Sequence, residues 1–105
     1  MKIVFKTSKM MKICEDHKRL CRKYGQQQAE KIIKRINELV SAENLFDISK
    51  LPQARLHSLA GNLKGMFAVD LKHPKRIIIT PMNGDTADLK TITKVEITEM
   101  GVDYH

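Results

Sequence analysis

The residue types best suited to chemistry cluster at the end of the chain. Asp103, Tyr104 and His105 supply a carboxylate, a phenol and an imidazole within one short reach. Chain ends usually fray. This one follows the alternating run Val95-Glu96-Ile97-Thr98-Glu99-Met100, whose period of two reads as a strand. A strand locked into a sheet would hold the tail and deliver an acid/base group to one edge of the fold. Two further residues could join it. His57 lies in Arg55-Leu56-His57-Ser58-Leu59, where alternation puts Arg55, His57 and Leu59 on one face. Arg76 opens the aliphatic run Arg76-Ile77-Ile78-Ile79. An arginine there is costly unless its head reaches water or an anion. Its guanidinium suits a phosphate clamp, and equally a salt bridge to Asp70 across a hairpin. His57 and His105 belong to the residue type that titrates near neutrality. Lys64, in the turn Gly61-Asn62-Leu63-Lys64-Gly65, is either surface decoration or a second phosphate contact.

The elements that must position these groups can be read from the pattern. Lys2–Lys6 is a short strand. Ser8 is a plausible N-cap for a helix to Tyr24, with Met10, Ile13, Cys14, His17, Leu20, Cys21 and Tyr24 inward. Gly25 ends it, and a second helix runs from Gln27 to Ala42. The short link makes the two an antiparallel helical hairpin. Residues 43–52 form a connector. Strands over 55–60, 66–71 and 76–80 follow, joined by the 61–65 turn and by His73-Pro74. A polar loop over 81–91 with a short helical turn leads to the last strand, 93–100. The expected fold is α+β, one domain over 1–105: an N-terminal strand and helical hairpin packed on a small, antiparallel-rich twisted sheet, whose second face is at least partly open.

Composition sets the class. The chain is 42% apolar and 30% charged, which suits a folded domain and excludes a disordered one. No apolar run is long enough for a membrane span. The N-terminal segment is charged again after three apolar residues, so no signal peptide is expected and the expected location is cytoplasmic. Cys14 and Cys21, seven apart on one expected helix, would lie roughly 10 Å apart, beyond disulfide reach. With His17 between them a metal site can be drawn, but it lacks a fourth ligand, and these positions belong to the apolar stripe; core packing is the reading adopted.

The net charge of +7 is uneven. Residues 1–40 hold eleven Lys/Arg and four Asp/Glu, while residues 41–105 hold eight of each. The excess sits on the helical hairpin, with Lys18, Arg22, Lys31 and Arg35 expected on its outer face. Such a face suits nucleic acid or an acidic partner, or merely solubility.

The segment Leu51-Pro52-Gln53-Ala54-Arg55-Leu56-His57-Ser58-Leu59-Ala60-Gly61-Asn62-Leu63-Lys64-Gly65 resembles the middle of the RelE/ParE superfamily of toxins, closest to its HigB (plasmid-maintenance killer-protein) branch. The ending from Lys94 to His105 is similar to that branch's closing strand and tail, Asp-Tyr-His being the most specific part. Element order and length agree over the whole chain. The resemblance implies a toxin that cleaves messenger RNA on the translating ribosome and is neutralised by a cognate antitoxin, usually a helix-turn-helix protein. By position, His57, Arg76, Asp103, Tyr104 and His105 match the branch's active-site set. The sequence departs where the branch often has lysine (Ala60), aspartate (Asn62) and a third-strand tryptophan (Phe67 nearby). Lys64 fits the later basic position of the turn.

RNA carries its own nucleophile, the ribose 2′-hydroxyl. The enzyme must align it, remove its proton, neutralise the phosphoryl oxygens and protonate the leaving oxygen. No metal or cofactor is required. Arg76 and Lys64 are assigned to the phosphate, His105 or Asp103 to proton removal, and His57 to leaving-group protonation or phosphate orientation. Tyr104 would stack on a base or bond to the backbone. Lys18, Arg22, Lys31 and Arg35 would hold ribosomal RNA. The competing readings are a ParE-like, non-catalytic inhibitor of a protein such as a topoisomerase, which would not need the terminal Asp-Tyr-His, and an inactive relative.

Overall fold

In the computed structural model, described here for residues 1–103, the elements run β1 (Lys2–Phe5), α1 (Ser8–Glu15), α2 (His17–Tyr24), α3 (Gln26–Ser41), α4 (Leu45–Ser49), β2 (His57–Ser58), β3 (Phe67–Asp70), β4 (Lys75–Pro81) and β5 (Lys94–Asp103). The five strands form one sheet in the order β1-β5-β4-β3-β2. β1 runs parallel to β5, and the other pairs are antiparallel. The α+β expectation holds. Among the described residues no helix is long and apolar enough to cross a membrane.

The expected first helix is two. Asp16 has extended backbone (φ −116°, ψ 103°) and its carboxylate accepts from Arg19 N at 3.2 Å, so it caps α2 instead of continuing α1. Short acidic side chains compete for backbone donors in this way. The cap of α1 is Thr7, which accepts from Met10 N, one residue before the expected Ser8. α2 and α3 are joined by Gly25 alone, at φ +82°. The connector contains an unexpected helix, α4. Asn44 accepts from Asp47 N at 3.2 Å, and Asp47 reaches back to Glu43 N at 3.0 Å, a reciprocal cap.

One sheet face packs on the helices. Val69, Ile77, Ile79, Val95 and Ile97 meet Leu20, Ile32, Leu39, Leu45 and Ile48 in a single core. Alternation sends Ala68, Arg76, Ile78 and Thr80 to the opposite face. That face was expected to be partly open. Its centre is buried at Ala68, Arg76, Ile78 and Thr98, while His57, Thr80 and Glu99 leave its rim accessible.

Two register shifts bend the β4–β5 ladder, between Arg76 and Ile77 and between Ile78 and Ile79. The first skips Gly101, at φ +68°. An extra residue reverses which face each later side chain takes. Met100 therefore pairs with Ile77 in the core, Val102 pairs with Arg76, and Asp103 pairs with Lys75. β5 runs three residues beyond its expected end because the bulge lets pairing resume.

Candidate active site

His57 and Arg76 stand on the same sheet face. His57 is opposite Ala68 in β3, and Ala68 is opposite Ile78 in β4, two residues from Arg76. Partners in an antiparallel ladder share a face, so the imidazole and the guanidinium rise from one surface, roughly 10 Å apart across the strands and about 7 Å along them. The small Ala68 between them keeps the floor low. Arg76 is 8% exposed, so its charge sits where solvent screens little.

β2 is shorter than the expected strand 55–60 because its lead-in turns sharply. Arg55 adopts φ +43°, a left-handed conformation costly for a residue other than glycine. The turn aims the Arg55 carbonyl at His57 Nδ1, 2.7 Å away. A carbonyl only accepts, so Nδ1 is the donor in this bond. The bond holds the ring in one orientation.

Arg55 is anchored by Asp70. Its Nε donates to Asp70 Oδ2 at 2.7 Å and its NH2 group to Oδ1 at 3.3 Å. These bonds raise the guanidinium's pKa further above its already high value, so Arg55 stays charged. The sequence offered Asp70 as the cross-hairpin partner of Arg76. The two are indeed opposite in register, but the carboxylate forks onto Arg55. Arg55 received no role from the sequence; the Arg55-x-His57 spacing on one strand was the available signal.

Lys64 sits at the end of a 3₁₀ turn (Gly61–Leu63) between two positive-φ glycines, Gly61 and Gly65. His57 and Lys64 line one cleft of about 490 Å³ at the outer edge of β2. Arg76 is not part of that cleft; it stands two strands further in.

Asp103 lies opposite Lys75 in the ladder, and Val102 opposite Arg76. The Asp103 Oδ1 lies 2.8 Å from Lys75 Nζ, and the bulge at Gly101 puts the pair on the other side of the strand from Arg76 and Val102. Tyr104 and His105 lie outside the described residues.

The basic hairpin is also corrected in one place. Lys18, Arg22 and Lys31 are exposed, as expected. Arg35 is buried at 4% exposure. Its Nε donates to the Asp70 carbonyl at 2.8 Å, one terminal nitrogen to the Gln53 carbonyl at 2.6 Å, and the other to Glu38 at 3.1 Å. The guanidinium ties α3 to the end of β3 and to the segment leading into β2. It braces the site from beneath and has no path to an RNA backbone.

Cys14 and Cys21 are free thiols. Cys14 Sγ lies 3.6 Å from Met100 Sδ, and burial, reinforced by the neighbouring Glu15 carboxylate, pushes its pKa up to about 11. Among the described residues no group of three or more metal-ligating side chains is gathered.

No family model matches the chain, and no curated protein matches it. Solved structures do. The YoeB/ParE toxin from Agrobacterium tumefaciens is similar with a TM-score of 0.58 at 16% identity, over 99% of this chain and 100% of that one. The YoeB–YefM complex from Staphylococcus aureus is similar with a TM-score of 0.57 at 16% identity, over 99% of this chain and 98% of that one. The chain shares the fold of these solved structures.

Proposed function

We propose that this protein is the toxin of a type II toxin–antitoxin pair, of the HigB-like branch, and that it cleaves messenger RNA on the translating ribosome. The observation that carries the reading is the shared sheet face of His57 and Arg76, with the imidazole oriented by its bond to the Arg55 carbonyl. The fold likeness agrees with it.

In this reading the ribose 2′-hydroxyl attacks the adjacent phosphorus, and the bond to the 5′-oxygen of the next nucleotide breaks. The products are a 2′,3′-cyclic phosphate and a free 5′-hydroxyl. Arg76, desolvated and charged, neutralises the phosphoryl oxygens, and Lys64 supplies a second, exposed cation. His57, protonated at Nε2 in the imidazolium form, gives that proton to the departing oxygen. Proton removal from the 2′-hydroxyl falls to His105 or Asp103, the latter held 2.8 Å from Lys75 Nζ. Tyr104 stacks on a base. None of these steps calls on a metal.

Lys18, Arg22 and Lys31 contact ribosomal RNA, an attachment governed by charge and weakened by salt. A cognate antitoxin, of helix-turn-helix type, holds the toxin inactive; the Staphylococcus aureus structure is itself a complex of two named components.

Primer extension on translated messenger RNA, run beside a DNA supercoiling assay, tests the proposal. Discrete cuts within the reading frame with unchanged supercoiling support it. Intact message with inhibited supercoiling would point instead to a ParE-like inhibitor of a topoisomerase.

A further inference from the structure

The His57 imidazole is aimed by a turn that the backbone disfavours. Arg55 stands at φ +43°, and its carbonyl takes the His57 Nδ1 bond at 2.7 Å. A residue other than glycine stays in this conformation only where its surroundings hold it there. Here the hold converges on one residue, Asp70, at the end of β3.

All three polar groups of Asp70 are committed to the lead-in of β2. Its amide donates to the Ala54 carbonyl at 2.8 Å. Its carboxylate accepts from Arg55 Nε at 2.7 Å and from a terminal Arg55 nitrogen at 3.3 Å. Its carbonyl accepts from Nε of the buried Arg35 at 2.8 Å, and Arg35 in turn donates to the Gln53 carbonyl at 2.6 Å. Residues 53, 54 and 55 are thus tied in succession to one point of the sheet. That point is also the ladder partner of Arg76. The same residue therefore references the His57 turn to the strand pair that carries the guanidinium.

The Arg55 side chain is 57% exposed, so its ion pair adds little to overall stability. A two-point fork between guanidinium and carboxylate fixes direction far better than it adds energy. From these contacts we infer that Asp70 and Arg55 are positioning residues for His57: their fork keeps the Arg55 peptide in its left-handed turn, and the Arg55 carbonyl then keeps the imidazole oriented for the site it shares with Arg76. The inference rests on the ribonuclease reading for the reaction it serves, though the ring's orientation is measurable without RNA. Neither side chain is assigned a contact with RNA; both act through the Arg55 carbonyl.

Three variants of the full chain test this. Asp70→Asn keeps size, amide and carbonyl but removes the charge and one acceptor. Arg55→Gly removes the fork and accepts a positive φ without strain, which safeguards folding. Arg55→Lys keeps the cation but not the fork. All three should melt near the wild-type temperature. Relaxation of the ring carbons of His57, read by NMR, should report a ring as rigid as the sheet in the wild type, with an order parameter near ~0.85, falling below about 0.6 in Asp70→Asn and Arg55→Gly. Cleavage of message on translating ribosomes should lose roughly ten- to a hundredfold in kcat in those two, with KM near wild type, the scale of a misaligned catalytic group. Arg55→Lys should fall between. A His57 ring as ordered in Asp70→Asn and Arg55→Gly as in the wild type would overturn the inference. So would a loosened ring with wild-type kcat, or a loss confined to KM, which would put the two side chains against the RNA instead of behind His57. Wild type that cuts no message, while Asp70→Asn still loosens the ring, would sink the ribonuclease reading and leave the positioning pair standing.

Discussion

The ring of Tyr24 fills the space that a side chain on residue 101 would occupy. A Cβ built on Gly101 would sit 2.7 Å from Tyr24 Cε1, and the backbone there has φ +68°. Both facts demand glycine. The bulge at this position decides that Val102, not Asp103, faces the Arg76 side.

Gly101→Ala should therefore destabilise the protein by about 1–3 kcal/mol, from strain at positive φ and overpacking against Tyr24. Urea denaturation would show a lower midpoint with an unchanged slope.

Arg35→Met should cost about 3 kcal/mol, because it leaves two carbonyls and the Glu38 carboxylate without their buried donor. Arg35→Lys should recover only part of this, since an ammonium cannot span the three acceptors with the same fork. Neither variant should alter the salt dependence of ribosome binding.

Charge reversal at Lys18, Arg22 or Lys31 should do the opposite. Stability stays near wild type, as expected of exposed sites. The slope of log affinity against log salt should fall by about 0.7–0.9 for each phosphate contact removed. A slope equal to wild type in all three would assign the basic face to solubility or to the antitoxin.

Cys14 gives a pH signature. Its thiol titrates near 9 when unfolded and at about 11 in the native state, mainly through burial. Between those values the native state holds the proton more tightly, so this group's contribution to stability falls as pH rises through the window. Cys14→Ser should flatten that part of the stability curve. In a Cys21→Ser background, alkylation of Cys14 should be slow at neutral pH and rise steeply only above pH 9.

Much of the fold was legible because the apolar pattern is strong. The spacing of Ala29, Ile32, Ile36 and Leu39 marks α3, and alternation in Val95 and Ile97 marks β5. What escaped was local polar geometry. Asp16 breaks a helix whose apolar stripe runs straight through it. Asn44 and Asp47 spell a reciprocal cap that was readable but overshadowed by the leucines and isoleucines around it. Arg35 falls beside the apolar stripe of α3, and only the tertiary position of the Asp70 and Gln53 carbonyls makes its burial favourable. At the site, alternation correctly grouped Arg76 with Ile78 and put His57 on a strand. The face taken by Asp103 depends on a one-residue bulge at Gly101, which no hydrophobic period records. Likewise the outer cleft needs the 81–91 loop to fold back beside β2, a long-range placement invisible in a single sequence.

The central claim is that His57 serves an RNA-cleaving site on the Arg76 face. Primer extension on translated messenger RNA with the wild type and His57→Ala, matched for thermal stability, tests it most directly. Cleavage should fall by roughly 10²–10⁴ in the variant, the usual loss when a general acid or base is removed. Cuts made by His57→Ala at the wild-type rate and positions would contradict the account.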